Sequence, residues 1–173
     1  MEVFYIADTT LNNKSAYSQH VIKMCDAFGQ NMSKTTLIIP NEKKNINFSK
    51  LKKNFLLNSS KEIKIKSILN YKISNFIDRI AFGFKASRFL KDKKDALIIT
   101  RSLYASIFLS LIKTKHFLEI HTEQKSLTKF LLINLNFINS KSIIKLIFIS
   151  KSLRKLFKVK EKKTIILHDG TDP

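Results

Sequence analysis

The sequence contains a single cysteine, Cys25, among 173 residues. One cysteine excludes an intramolecular disulfide and a zinc site built from several thiolates, and it fits a reducing compartment. The sequence also lacks the glycine motif of dinucleotide-binding loops, the phosphate-binding G-x-x-x-x-G-K-[ST] loop and the G-x-S-x-G elbow of serine hydrolases. A conventional NAD site, a P-loop and a serine hydrolase site are therefore disfavoured.

Long hydrophobic runs are absent as well. The longest uncharged, apolar-rich stretches are residues 102–112 and 130–140, at 11 residues each, and a membrane-spanning helix needs ~20. The first ten residues, MEVFYIADTT, reach an acidic residue at position 2 and a polar one at position 8, unlike a signal peptide. We therefore expect a cytoplasmic chain, with no internal repeat or low-complexity tract.

Acidic residues are scarce, since 32 lysines and arginines face 13 aspartates and glutamates for a net charge of +19. Such a surplus attracts polyanions, and it leaves three interpretations: a solvated lysine surface, contact with an anionic membrane, or nucleic-acid binding. Only four of the basic residues are arginine, the side chain that reads phosphates and guanine edges in bidentate fashion. Nucleic acid is accordingly the least favoured partner.

Short apolar runs alternate with helical periodicity along the whole chain, which predicts an α/β fold: a Rossmann-like, doubly wound parallel sheet with helices on both faces. A first helix has an apolar face that includes Tyr17, Val21 and Phe28, with Ser15 as N-cap and Gly29 just past its end. The predicted strands are residues 3–7, 35–39, 62–65, 96–100, 116–120, 146–150 and 164–167, and the further helices are residues 71–90, 103–112, 125–138 and 151–157.

Two of these segments carry more specific expectations. The helix over residues 71–90 places Ile73, Phe76, Ile77, Ile80 and Phe84 on one stripe. Residues 41–60 have no sustained period, and we interpret them as an excursion between strands. A partial amphipathic stripe there, made by Phe48, Leu51, Phe55 and Leu56 among lysines, either folds onto the domain, which we favour, or docks on an anionic membrane.

Polar residues follow most strands, at the edge where open parallel sheets bind ligands. Glu119 and His121 are two apart at a strand end, so they point to the same side and form the best candidate catalytic pair for orienting a hydroxyl or exchanging a proton with it. A hydrogen-bonded structural histidine is the alternative. His20 and His116 are interpreted as structural, and we predict no metal site, since His116 and His121 lie on opposite faces of a strand.

The loop after the first strand, together with Arg101 after the fourth, is expected to face an acceptor or a phosphate. The free amides that begin the first helix attract anions, and a lysine in the loop adds to that attraction. The alternative is that the loop residues are ordinary turn and cap residues. The loop residues concerned are Asn12, Asn13, Lys14 and Ser15.

Five segments in the same order, NKSAYSQHVIKMCDAFG, TTLIIP, EIH, FISKSL and ILHDGTD, resemble the N-terminal, acceptor-side domain of family 4 glycosyltransferases. The resemblance covers nearly the whole chain. It implies one half of a GT-B enzyme that retains anomeric configuration without a metal, with Asn13 to Ser15 beside the acceptor and donor phosphates and His121 near the transferred sugar. The chain departs from the family where glycines are usual, at Asn12 to Lys14, and in its closing D-G-T-D.

The resemblance divides the chain into a domain over residues 1–168 and the start of a linker at 169–173, with the donor-binding domain absent. The implied partners are a sugar or lipid-linked acceptor and a donor-binding domain or partner chain. No cofactor is expected, and a nucleotide sugar would bind only with that second domain, so the chain should be inactive alone. The alternative function is a basic, non-catalytic module that binds a polyanion or sits peripherally on the anionic inner face of a membrane.

Overall fold

A computed structural model describes residues 1–11, 15–31, 34–41, 48–58, 63–93, 95–123, 130, 136–157 and 159–167. Its seven strands form one sheet in the order β3-β2-β1-β4-β5-β6-β7, and every neighbouring pair is parallel. The predicted Rossmann-like, doubly wound fold is confirmed. The strands are β1 (Glu2–Ile6), β2 (Lys34–Ile39), β3 (Ile63–Ser67), β4 (Leu97–Thr100), β5 (His116–Ile120), β6 (Ile143–Phe148) and β7 (Thr164–Ile166).

The strand order reverses direction at β1, which pairs with β2 on one side and β4 on the other. Connections from β1 therefore run to one half of the sheet and those from β4 to the other. A crevice opens outside the carboxyl ends of the strands at such a reversal, and ligands of open α/β sheets bind there. All strands are parallel, so the residues that follow β1, β4 and β5 meet at this edge.

Helices cover both faces of the sheet. The two helices α1 (Ala16–Asn31) and α2 (Phe48–Phe55) pack with Tyr5, Leu37 and Ile99 on one face. The helices α3 (Phe76–Leu90), α4 (Leu103–Leu111) and α5 (Lys151–Leu156) pack on the other, as the core clusters around Phe82 and Phe148 show. The sheet thus divides the core into two layers.

The first helix begins as predicted but ends later. The Oγ of Ser15 accepts a hydrogen bond from the Ser18 amide at 3.2 Å, which is the N-cap contact. Gly29 was expected just past the helix and lies inside it, because the helix continues to Asn31. Gly29 is buried.

The excursion between β2 and β3 contains the helix α2, which the lack of a sustained period concealed. Leu51 and Phe55 are buried in the core beneath α1, together with Leu57. Leu56 is instead 77% exposed. The favoured interpretation, in which the apolar residues of this segment fold onto the domain, agrees with the burial of Leu51 and Phe55, whereas Leu56 faces solvent.

The helix α3 differs from its prediction at its start and in its buried face. It begins at Phe76 instead of residue 71, because the side chain of Asn75 caps it and the Asp78 carboxylate accepts a hydrogen bond from the Asn75 amide.

The buried face of α3 consists of Phe82, Gly83, Ala86 and Leu90. The predicted stripe is largely outside: Phe76, Ile77 and Phe84 are exposed, while Ile73 and Ile80 are half-buried.

The packing of α3 on α4 explains this rotation. A side-chain carbon at Gly83 would lie 2.6 Å from the carbonyl carbon of Tyr104, so the two backbones touch there and only glycine fits. That contact turns Gly83 inward and its neighbour Phe84 outward. Phe84 then packs edge-on against Phe108 of α4, with ring centroids 5.5 Å apart.

Two other predictions differ in extent. The strand β6 begins three residues before the predicted start at residue 146. Most of the helix predicted over residues 125–138 lies outside the described residues, and a short 3₁₀ helix occupies Phe137–Asn139. Among the described residues, no helix is both long enough and apolar enough to cross a bilayer.

Candidate functional site

A cleft of about 910 Å³ lies at the carboxyl ends of β1, β4 and β5. Asp8 follows β1, Arg101 follows β4 and His121 follows β5. The walls are the first turns of α1, α3 and α4, at Ala16, Phe76 and Leu103. The cleft therefore lies where a doubly wound sheet places its ligand site.

The Glu119 carboxylate is the centre of a buried hydrogen-bond cluster on one side of this cleft. Its Oε1 is in contact with the Nε2 atoms of His121 and His20, the latter at 3.1 Å, and its Oε2 accepts a hydrogen bond from the Tyr5 hydroxyl at 2.6 Å. An ionised carboxylate only accepts, so both imidazoles donate from Nε2. The two rings stand edge-to-face with centroids 4.8 Å apart.

These contacts keep Glu119 ionised. Burial alone raises the pKa of a carboxyl, but the hydrogen bonds from His121, His20 and Tyr5 and the charge of Arg101 together hold the pKa of Glu119 well below its usual range. The reverse holds for Tyr5, because burial and the adjacent Glu119 charge raise its pKa well above the usual value. The cluster thus contains a fixed negative charge.

The predicted pair, Glu119 and His121, is therefore brought together as expected, with both side chains at the cleft. His20, which is interpreted as structural from the sequence, contacts the same carboxylate. A signal was present: Tyr17 and His20 are three apart on the first helix and share a face, and Tyr17 also lines the cleft. Nothing in the sequence pairs His20 with a residue 99 positions away.

The side chains of His20, Glu119 and His121 are also relevant to the prediction that the chain has no metal site. One ligand atom from each of His20, Glu119 and His121 lies within 4.8 Å of the others, so these residues could reach one ion. The prediction of no metal site concerns His116 and His121, and His20 is not part of it. The guanidinium of Arg101 acts on Glu119 and would repel a cation there.

Arg101 also lines the cleft. Its guanidinium stacks over the Tyr17 ring at 4.3 Å from the centroid. The Tyr17 hydroxyl donates to Asp8 at 2.8 Å, and burial followed by the Asp8 charge raises the pKa of Tyr17. The second oxygen of Asp8 accepts a hydrogen bond from Arg79 at 3.2 Å. Asp8 is therefore paired with Arg79.

The loop ahead of α1 is only partly described. Ser15 is the N-cap of α1, as the alternative interpretation expected. The predicted phosphate-facing residues Asn12, Asn13 and Lys14 lie outside the described residues.

His116 is buried away from the cleft, at the start of β5. Its Nδ1 lies 2.9 Å from the Thr114 carbonyl oxygen and its Nε2 lies 2.8 Å from the Ser106 hydroxyl. Nδ1 therefore carries the proton, and Nε2 accepts from Ser106. A structural role for His116 agrees with both contacts.

Comparisons with protein-family models, with curated proteins and with solved structures found no match.

Proposed function

We propose that this chain is the acceptor-binding half of a retaining glycosyltransferase and acts together with a domain that binds a nucleotide sugar. The observation that carries the proposal is the position of His121, whose imidazole lines a cleft of about 910 Å³ at the carboxyl edge of the sheet. The order of the sequence motifs supports the same function.

The chemistry of the cleft fits transfer to a hydroxyl group. The Glu119 carboxylate fixes one nitrogen of the His121 ring, which orients the imidazole. An imidazole held in this way can hydrogen-bond a sugar hydroxyl or exchange a proton with it, and such a group typically contributes ~100-fold or more to rate. Tyr17, Phe76 and Tyr104 supply aromatic surface on the cleft walls, against which a sugar ring can pack.

The test is a transfer assay on the chain combined with a donor-binding domain, fused or as a separate chain. His121→Ala should lower turnover by ~100-fold or more and leave the melting temperature nearly unchanged. His121→Gln keeps a hydrogen-bond donor toward Glu119 but cannot exchange a proton. Comparison with His121→Ala therefore separates the loss of packing from the loss of proton exchange. A variant that is destabilised but turns over normally per folded molecule would remove His121 from the site.

A second candidate function, a basic module on an anionic bilayer, is favoured by a surface formed by α3 and α4. Ile77 and Phe84 lie two turns apart on α3, and Ile77 is 71% exposed. Phe108 meets Phe84, and Leu111, one turn further along α4, is 59% exposed. We call these four side chains the α3–α4 surface.

Basic side chains border the α3–α4 surface. Lys85, Arg88 and Lys113 are all exposed, and Arg88 lies over the Phe84 ring at 5.8 Å. Apolar side chains ringed by cations suit the boundary between anionic headgroups and acyl chains. Leu51 and Phe55 of α2 are buried, so the proposed contact is made by the exposed apolar residues of α3 and α4 instead.

Vesicle co-sedimentation tests this second function. The chain should bind vesicles containing phosphatidylglycerol better than pure phosphatidylcholine, and the binding should weaken as salt rises. Replacing Ile77 and Leu111 together by serine should weaken binding by ~10-fold or more, since each inserted side chain contributes about 1–2 kcal/mol. Leu56→Ser is the matched control at an exposed leucine elsewhere, and an equal loss in that control would refute the α3–α4 surface.

A further inference from the structure

Among the described residues, the guanidinium of one cleft arginine, Arg101, lacks a carboxylate partner at hydrogen-bond distance. The guanidinium of Arg101 donates no hydrogen bond to a described residue, and its Nη1 is buried without an acceptor. It forms no ion pair with any carboxylate in the part of the chain that the structure describes. A buried donor on a charged group that lacks an acceptor costs more than an ordinary unmade hydrogen bond, so its presence requires a reason.

The neighbouring carboxylates already accept hydrogen bonds from other side chains. Asp8 is held by Arg79 and by the Tyr17 hydroxyl. Glu119 is held by His121, His20 and Tyr5. Arg101 acts on Glu119 only through space. Among the described side chains that line the cleft, Arg101 is thus the arginine that donates to no carboxylate, whereas Arg79 is paired with Asp8.

The position of the guanidinium is fixed in advance. The guanidinium carbon of Arg101 lies 4.3 Å from the centroid of the Tyr17 ring, and the backbone amide of Arg101 donates to the Ile6 carbonyl oxygen at 2.9 Å. Stacking on a ring orients the planar fork but leaves its edge donors available. The side chain therefore has little rotamer entropy left to lose when a ligand binds.

Two helices direct their positive ends to the same place. The first turns of α1 and α4 line the cleft, and neither contains an acidic residue that would neutralise the helix dipole. The Asp78 carboxylate already occupies the start of α3. A dianion beside Arg101 would thus meet a guanidinium fork and two helix termini, which together suit the several oxygens of a phosphate.

We propose that Arg101 binds a phosphate group of the acceptor, so that the cleft takes a phosphorylated sugar or a phosphate-linked lipid and not a neutral saccharide. This inference rests on the proposed function, because it names the class of acceptor for the same cleft. The phosphate would pair with the Arg101 guanidinium where this residue lines the cleft, and the net charge of +19 would attract it from solution.

Calorimetric titration of the whole chain with inorganic phosphate, at constant ionic strength, tests the site directly. Arg101→Gln should weaken binding by ~10-fold or more, because it removes both the charge and the fork. Arg101→Lys should recover only part of the affinity, since a lysine keeps the charge alone. The matched control is Arg88→Gln, another arginine stacked on an aromatic ring, which should change the affinity by less than ~2-fold.

Three further probes separate the sources of the phosphate. Glucose 6-phosphate should bind in an Arg101-dependent way, and glucose should bind more weakly and without that dependence. If uridine diphosphate alone depends on Arg101, the residue serves the donor and the assignment to the acceptor is wrong. Equal phosphate affinity in the wild type and Arg101→Gln, or no phosphate binding at all, would overturn the inference.

The experiments distinguish rejection of the Arg101 phosphate site from rejection of the proposed glycosyl transfer. Phosphate binding that depends on Arg101, combined with no sugar transfer in the presence of any donor domain, would reject glycosyl transfer and leave a phosphate site. Transfer that is insensitive to Arg101→Gln would reject the phosphate site and leave the transferase. The melting temperature of each variant, followed by circular dichroism, is the control for retention of the fold.

Discussion

The burial of His116 should make the stability of the domain depend on pH between 7 and 5. Burial is the main cause that lowers the pKa of His116 from 6.5 to about 4, and the Lys163 charge adds to it against the Thr114 hydrogen bond. A histidine with a lowered pKa in the folded state favours the neutral form. Its contribution to stability is therefore complete above pH 6.5 and is lost as the pH falls toward 4.

The size of the effect follows from the two pKa values. With 6.5 in the unfolded chain and about 4 in the fold, proton linkage removes about 2 kcal/mol of stability between pH 7 and pH 5, and about 3 kcal/mol once both states are protonated. This is a large share of the ~5–15 kcal/mol that typically separates folded from unfolded domains. Glu119 adds a loss only at lower pH, because its pKa is depressed below the unfolded value.

The assay is urea unfolding followed by circular dichroism, since the chain contains no tryptophan. Comparison with His116→Gln cancels the other histidines, because they titrate in both proteins. The variant should be less stable at pH 7, and the gap should close by about 2 kcal/mol at pH 5. Parallel stability curves for the two proteins over this range would refute the argument that His116 is held neutral.

Three further changes test the packing around the cleft by the same unfolding measurement. Gly83→Ala should cost about 2 kcal/mol or more, because the new methyl meets the backbone of α4 at 2.6 Å, whereas Lys85→Ala on the exposed side of α3 should cost less than ~0.5 kcal/mol. Tyr5→Phe leaves one buried Glu119 oxygen without its donor and should cost about 1–3 kcal/mol. Asn75→Ala removes a capping box at the cleft and should cost about 1 kcal/mol; a stability unchanged by any of these would contradict the contact concerned.

The strands were predictable because a parallel sheet that is covered on both faces makes its strands apolar at nearly every position. The strand β5 was predicted with its observed bounds, His116–Ile120. The strand β6 was not, since Lys145 interrupts its apolar run near the start. A continuous apolar run identifies a buried strand, but a charged residue near the end of the strand interrupts the run, so the end cannot be predicted from it.

The buried face of α3 could not be predicted by periodicity. The helix has apolar residues on two sides, at Phe76, Ile77 and Phe84 and at Phe82 and Leu90. Which side is buried depends on the backbone contact at Gly83, and this contact exists only once α4 is in place. The sequence is therefore compatible with burial of either side of α3, and the contact with α4 determines which side is buried.

The hydrogen bonds around Glu119 assign different roles to the two residues that the sequence proposed as a catalytic pair. Both Glu119 oxygens are taken, one by His121 and His20 and the other by Tyr5. A carboxylate whose pKa is held far below neutrality has no proton to give, and one whose oxygens are already bound by donors is poorly placed to accept another from a substrate. Under the proposed function, Glu119 is a positioning residue, and His121 is the group that meets the substrate. Replacing Glu119 should then act through the orientation of the imidazole, as the loss of an orienting carboxylate does in a catalytic triad.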